Sequence, residues 1–156
     1  MKTLILYATK HGAAQEAAQR IAKKIDGSVI HDMKQDGIPS LAEFDCVIIG
    51  SSLYVGMIRK EAKAFMSQYA DHLRGKKLGL FLCGLEESQE KSSFDNNFSP
   101  DILREAKAAC LLGGVFDPKK SGAMGRLIMK AVFKSSAYEN TISDDKIERF
   151  AEVMRA

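Results

Sequence analysis

The run from Thr3 to Ala8 is apolar without a break rather than alternating, and it is the first strong pattern along the chain. A strand covered on both faces reads this way, so it predicts a buried strand of a parallel sheet. Ala14, Ala17, Ala18, Ile21, Ala22 and Ile25 then recur at helical spacing. Polar residues from Gln15 to Lys24 fill the other face, and Gly27 supplies a stop. Val29-Ile30-His31 predicts a short second strand. Residues 32–44, with Asp36-Gly37 and Pro39, read as a loop with at most one irregular turn, so the usual crossover helix is truncated. Cys46 to Ile49 is a third buried strand ending in Gly50-Ser51-Ser52, followed by a helix packing through Ile58, Ala62, Phe65, Met66 and Tyr69 up to Gly75.

Leu78 to Cys83 predicts the fourth strand, and the polar stretch from Glu86 to Asn97 reads as lying outside the core. Ser99-Pro100-Asp101 is a helix start, an N-cap with proline at the first helical position, for a helix whose inner face is Ile102, Ala106, Ala109 and Cys110. A fifth strand is expected from Leu111 to Phe116, a helix from about Gly122 to Ser136, and a last helix begun by Ser143-Asp144 with Ile147, Phe150, Ala151 and Met154 on one face. This alternation predicts one domain over 1–156. Its fold class is α/β, a doubly wound five-stranded parallel sheet of order 2-1-3-4-5 with helices on both faces. Ligands of such sheets bind at the carboxyl ends of the strands where the winding reverses, here between the ends of the first and third.

Composition narrows the class without naming an activity. With 46% hydrophobic and 28% charged residues in 156, disorder is excluded, and three scattered cysteines (Cys46, Cys83, Cys110) suit buried reduced thiols better than disulfides or zinc. No apolar run approaches the roughly 18 residues of a membrane span. The stretch that ends at Thr9-Lys10-His11 is too short for a signal peptide, so a cytoplasmic protein is expected. His31 and His72 have no partner pattern suggesting a metal, and none is expected. The net charge of +3 is mild. Its distribution is not, because Lys119, Lys120, Arg126, Lys130 and Lys134 occur with no acidic residue between Asp117 and Glu139. No recognition motif accompanies them, so nucleic-acid binding is not expected.

Three loops meet at the predicted switch point. Ala8-Thr9-Lys10-His11-Gly12-Ala13-Ala14 opens the first helix directly, where unpaired backbone N–H groups, the Thr9 hydroxyl and Lys10 can cradle a phosphate. It carries neither the nucleoside triphosphate nor the dinucleotide glycine pattern, so a monophosphate fits best, with a plain helix turn as the alternative. Gly50-Ser51-Ser52-Leu53-Tyr54-Val55-Gly56 adds an aromatic on which a planar ring can stack, and Cys83-Gly84-Leu85-Glu86-Glu87 closes the far side. One loop for a phosphate and two for a ring describe a flavin mononucleotide (FMN) site. Its candidate residues are Thr9 to Ala14, Ser51 to Gly56 and Cys83 to Glu86, with backbone donors at Val55, Gly56, Gly84 and Leu85. Glu86 and Glu87 near the ring would lower its potential, unless they are merely solvated carboxylates.

Ile5-Leu6-Tyr7-Ala8-Thr9-Lys10-His11-Gly12-Ala13-Ala14 and Ala18 resemble the phosphate signature of the flavodoxin-like superfamily, departing at Ala14, where the family usually has Thr. The lost hydroxyl removes one hydrogen bond worth about 1.5–3 kcal/mol to a charged phosphate. Lys2 to Leu6, Val47 to Ser52 with Tyr54 and Gly56, and Arg126 to Lys130 look most like the branch containing menaquinone-dependent protoporphyrinogen IX dehydrogenases. The resemblance implies FMN as cofactor, flavin-borne redox chemistry without a required catalytic acid or base, and an oxidoreductase passing electrons from a porphyrinogen-like donor to a quinone. The alternatives are an electron carrier between larger redox proteins and a flavin-free binding module. On the helix near the end, Met124, Leu127, Ile128, Ala131 and Val132 form one face and Arg126, Lys130, Phe133 and Lys134 another. The simple expectation is a helix covering the sheet. The functional one is peripheral contact with the inner face of the cell membrane through Arg126, Lys130, Phe133 and Lys134, bringing flavin to quinone.

Overall fold

A computed structural model describes residues 1–133 and 137–156, the side chains of 132 and 133 aside. Its centre is a parallel sheet of β1 (Thr3–Ala8), β2 (Val29–Asp32), β3 (Cys46–Tyr54), β5 (Lys77–Cys83) and β6 (Ala106–Leu111), in the spatial order β2-β1-β3-β5-β6. The short β4 (Met57–Ile58) turns back antiparallel on the end of β3, pairing Leu53 with Ile58 and Tyr54 with Met57. The predicted five-strand order holds.

The unbroken apolar strands are explained by the two layers they feed. Leu4, Leu6, Val47, Ile49, Leu80 and Leu82 point to one side, where they meet α2 (Lys60–Tyr69), α3 (Glu90–Asn97) and α4 (Pro100–Glu105) through Phe65, Phe94 and Ile102. Ile5, Tyr7, Ile48, Phe81 and Cys83 point to the other, against α1 (Ala13–Ala22) and α6 (Asp144–Arg155) through Ala14, Ala17, Ile21, Phe150 and Met154. Both α4 and α6 begin at the expected caps, Ser99 and Ser143 accepting from the backbone N–H of Ile102 and Lys146. Between β2 and β3 there is only a single 3-10 turn, Leu41–Glu43, as the loop composition implied.

Four expectations fail. The helix begun at Ser99 stops at Glu105, and Ala106 to Leu111, placed on that helix by the spacing of Ile102, Ala106, Ala109 and Cys110, is the edge strand β6. Alanines carry no strand signal of their own, and pairing with β5 decides the matter. The residues expected to form the fifth strand instead leave the sheet: β7 (Val115–Phe116) pairs antiparallel with β8 (Glu139–Asn140). The polar stretch 86–97 contains α3, whose Phe94 and Ser93 are buried. Finally, α5 (Ala123–Phe133) does not cover the sheet: Met124 and Leu127 are 64% and 63% exposed, and Met129 is its one buried apolar side chain among the described residues.

Candidate functional site

At the carboxyl end of β1 the Thr9 hydroxyl accepts from the Gly12 N–H at 2.9 Å, closing the loop, and the Lys10 N–H reaches the Ser52 hydroxyl at 3.3 Å, tying this loop to the end of β3. Gly12 is the N-cap of α1 at φ 99°, a conformation glycine adopts without penalty, and no side chain caps the helix. The N–H groups of the first turn are left for a ligand or water. Ala14, where a hydroxyl was missed, is a wholly buried methyl against the sheet.

β3 runs past its predicted end to Tyr54 and turns through Val55 (φ 50°) and Gly56 (φ 75°) into β4. Two left-handed residues make the tight turn whose twist suits a two-residue hairpin. Asn97 of α3 clamps it from below, accepting from the Ile58 N–H at 3.0 Å and donating to the Gly56 carbonyl at 2.9 Å. The Ser51 hydroxyl, a candidate ligand group, is internal to this loop: it donates to the Ser52 carbonyl at 3.0 Å and accepts from the Arg59 N–H at 2.9 Å.

The third loop is held as firmly. The Gly84 N–H, expected to face the ring, donates instead to the Gly113 carbonyl at 3.0 Å. Gly114 lies so close that a Cβ there would sit 2.9 Å from the Gly84 carbonyl carbon. Glu87 is turned away: it takes a 2.8 Å bond from Lys146 of α6, and that hydrogen bond holds its carboxyl below the usual range. Glu86 alone of the two stays at the crevice, accepting from the Ser88 hydroxyl at 2.6 Å.

These loops form one side of a cavity of about 680 Å³. Lys10, His11, residues 53–56 and residues 84–86 line it, and a smaller recess of about 70 Å³ shares several of them and reaches Ala13, Ser52 and Cys83. Thr9, Gly12, Ala14 and Ser51 line neither. Burial in the recess drives the Cys83 thiol far above its ordinary range, leaving it an inert core sulfur. The other side of the cavity was not foreseen. It is supplied by Phe116 and by Met124, Gly125, Ile128 and Met129 of α5. The available signal was the apolar stripe on α5, which periodicity alone assigns to core and only the tertiary placement assigns to a cavity wall.

Charge is asymmetric across this site. The Lys10 ammonium lies 3.7 Å from the centroid of the Tyr54 ring, and the Arg59 guanidinium lies over the same ring at 5.9 Å. His11 is half-buried, and its pKa is lowered first by that burial and then by Lys10, Arg59 and Lys120, against a smaller opposing effect of Asp117. Among the described residues no cluster of three or more His, Cys, Asp or Glu side chains is placed to hold a metal ion.

A parallel sheet of this order, with an uncapped first helix and a ring-sized cleft at the switch point, agrees with what known proteins show. The family model for the flavodoxin domain matches residues 4–143. The chain belongs to the flavodoxin domain family. Among curated relatives, the protoporphyrinogen IX dehydrogenase [quinone] of Escherichia coli K12 is 23% identical over 153 residues, covering 89% of this chain and 82% of that one. Two solved flavodoxins share the fold over nearly their whole lengths. The one from Streptococcus pneumonia TIGR4 has TM-score 0.61, 16% identity and coverage of 99% of this chain and 98% of the other. The Fusobacterium nucleatum flavodoxin bound to flavin mononucleotide has TM-score 0.60, 13% identity and coverage of 99% and 96%. The flavodoxin-like architecture read from the sequence is therefore shown.

Proposed function

We propose that this flavodoxin-family protein is an FMN-dependent oxidoreductase that passes electrons through the flavin from a porphyrinogen-like donor to a quinone. The observation that carries the reading is the cavity, bounded by Tyr54 and Leu85 on one side and by Met124, Ile128 and Met129 on the other. Its volume of about 680 Å³ falls in the range of small-molecule sites, about 300–1,000 Å³. The residues present fit FMN. An uncapped helix start beside Thr9 and Lys10 suits a phosphate, and an aromatic ring with flanking apolar side chains suits the isoalloxazine. Bound there, FMN supplies hydride or single-electron transfer, and the protein contributes binding, orientation and charge. Residues 53–56 and Leu85 would hold the ring, with the backbone N–H groups of Val55, Gly56 and Leu85 as candidate donors to its polar edge. The apolar α5 wall excludes water and receives the electron donor.

Support for a porphyrinogen-like donor and a quinone acceptor comes from the name of the E. coli relative and from the apolar lining. No helix among the described residues is long and apolar enough to cross a membrane, so a quinone would be met at a surface. We assign that contact to the exposed face of α5, where Met124 and Leu127 stand beside exposed Arg126 and Lys130, at the inner face of the cell membrane of a cytoplasmic protein. Of the residues first assigned to it, Lys134 and the side chain of Phe133 lie outside the described residues.

The visible spectrum of the purified protein is the first test: a yellow chromophore with flavin absorption is expected, and its absence after reconstitution with FMN would leave a flavin-free binding module, a reading the buried Ala14 methyl favours. Turnover of protoporphyrinogen with a menaquinone analogue separates the enzyme from an electron carrier. Co-sedimentation with anionic vesicles at low salt, abolished by replacing Leu127 and Lys130, tests the membrane contact.

A further inference from the structure

Arg59 stands outside every motif that points to the flavin and lines neither the cavity nor the recess, yet the fold brings its guanidinium to the Tyr54 ring at the cavity's edge. It follows β4 directly, is the N-cap of α2, and its backbone N–H is fixed on the Ser51 hydroxyl. Its Nε is buried and has no hydrogen-bond partner. Its guanidinium shares the Tyr54 ring with the Lys10 ammonium, and both cations depress the pKa of half-buried His11. Neither Lys10 nor Arg59 forms an ion pair with a carboxylate among the described residues, and the acidic group felt at His11 is Asp117. Like charges gathered without a counter-ion repel one another, and an anion brought between them reverses the sign of that energy.

We infer that Lys10 and Arg59 form an ionic clamp for a phosphate monoester, and that they replace with charge the hydrogen bond that the buried Ala14 methyl cannot make. This rests on the flavin reading and deepens it, for it makes these two residues the determinants by which the site distinguishes FMN from riboflavin. Arg59 contributes fixed N–H donors suited to a phosphate, and Lys10 moves off the Tyr54 face to contribute a mobile ammonium. A site that binds phosphate through neutral donors is nearly indifferent to ionic strength, whereas one that binds through two cations, Lys10 exposed and Arg59 partly buried, weakens as salt rises.

The test is titration of the apoprotein with FMN and with riboflavin, followed by flavin fluorescence at low and high salt. Arg59→Gln, Lys10→Gln and the double variant are compared with the unaltered chain and with Arg59→Lys, which keeps the charge but not the fork. Each charge-removing variant should weaken FMN binding roughly tenfold to a hundredfold and leave riboflavin binding within about threefold. The salt dependence of FMN binding should flatten in the double variant, and Arg59→Lys should preserve it. Inorganic phosphate should compete with FMN and not with riboflavin. FMN binding that is unchanged in Arg59→Gln and Lys10→Gln, or lost in step with riboflavin, overturns the clamp while leaving the flavin site intact. Binding of neither flavin to the unaltered chain overturns the flavin reading itself, and the clamp with it.

Discussion

The two sides of the cavity are built on opposite principles. One is the end of the sheet itself: β3 continues into the hairpin that carries Tyr54 and Val55, Asn97 bonds that hairpin from α3, and Gly84 is bonded to Gly113 beneath the third loop. The other is α5, carried on the excursion between β7 and β8. That excursion meets the body at a narrow neck, where the Thr141 N–H donates to the Gly114 carbonyl at 2.8 Å and the Gly114 N–H to the Thr141 hydroxyl at 3.0 Å. The first side is continuous with the core and rises or falls with it. Among its described side chains α5 buries only Met129, so its sequence is free to answer to what it touches. On the proposed function, the requirements of folding and of cofactor binding fall on one wall, and those of substrate access fall on the other.

The strongest way to break this comparison is at Gly50, in the middle of β3. A Cβ there would lie 1.9 Å from Phe81 Cζ, and Phe81 is wholly buried against α6, edge to face with Phe150 at 6.3 Å. Gly50→Ala should lower the unfolding free energy by about 3 kcal/mol, measured by urea denaturation. Leu127→Gln on α5 should change it by no more than about 0.5 kcal/mol. A tolerant Gly50 together with a costly Leu127 would reverse the assignment of the two walls.

Next in size is the division of binding labour. Tyr54→Ser should weaken flavin binding roughly tenfold by removing the aromatic face. Met124→Ser should leave flavin affinity within about threefold and raise KM for the electron donor instead. Equal losses of flavin in both variants would mean that α5 is part of the cofactor site and that the division is wrong.

The same division explains what the sequence made legible. The central strands were readable because burial on both faces leaves a continuous apolar run, and with them came the sheet order, the switch point and the three loops around it. The edge strand β6 was not, because Ala106, Ala108 and Ala109 state no preference and the decision is made by pairing with β5. The hairpin was missed because Val55-Gly56 lacks the Asn-Gly or Asp-Gly usual in such a turn. The α5 wall was misplaced because an apolar stripe has the same period whether it faces a core or a cavity. Arg59 was invisible because nothing local distinguishes it from any other charged residue at a helix start.

Val55 sharpens the picture of the sheet-borne wall. A β-branched residue at φ 50° is strained, and this side chain is 73% exposed, so burial does not compensate. Val55→Asn should raise stability by about 1 kcal/mol in thermal unfolding. If the strained turn is held for binding, the more stable variant should bind flavin more weakly, because Val55 lines the cavity. A gain in both stability and affinity would show that the strain serves neither.

The smallest effect is electrostatic and tests whether the cations of the first loop act together. Burial, then Lys10, Arg59 and Lys120, depress the pKa of His11. Folded His11 therefore holds its proton more weakly than the unfolded chain, whose value is about 6.5, and the unfolded state binds more protons in the window just below that pH. Stability should be level above pH 6.5 and decline as pH falls through the window. Lys10→Gln should move the His11 titration, followed by the NMR shift of its ring proton, part of the way back toward 6.5, with burial, Arg59 and Lys120 accounting for the remainder. A titration unmoved by that change would mean that the Lys10 ammonium resting on Tyr54 is screened from its neighbour. The first loop would then be a set of separate charges, and the sheet-borne wall would hold its ligand by shape and backbone donors alone.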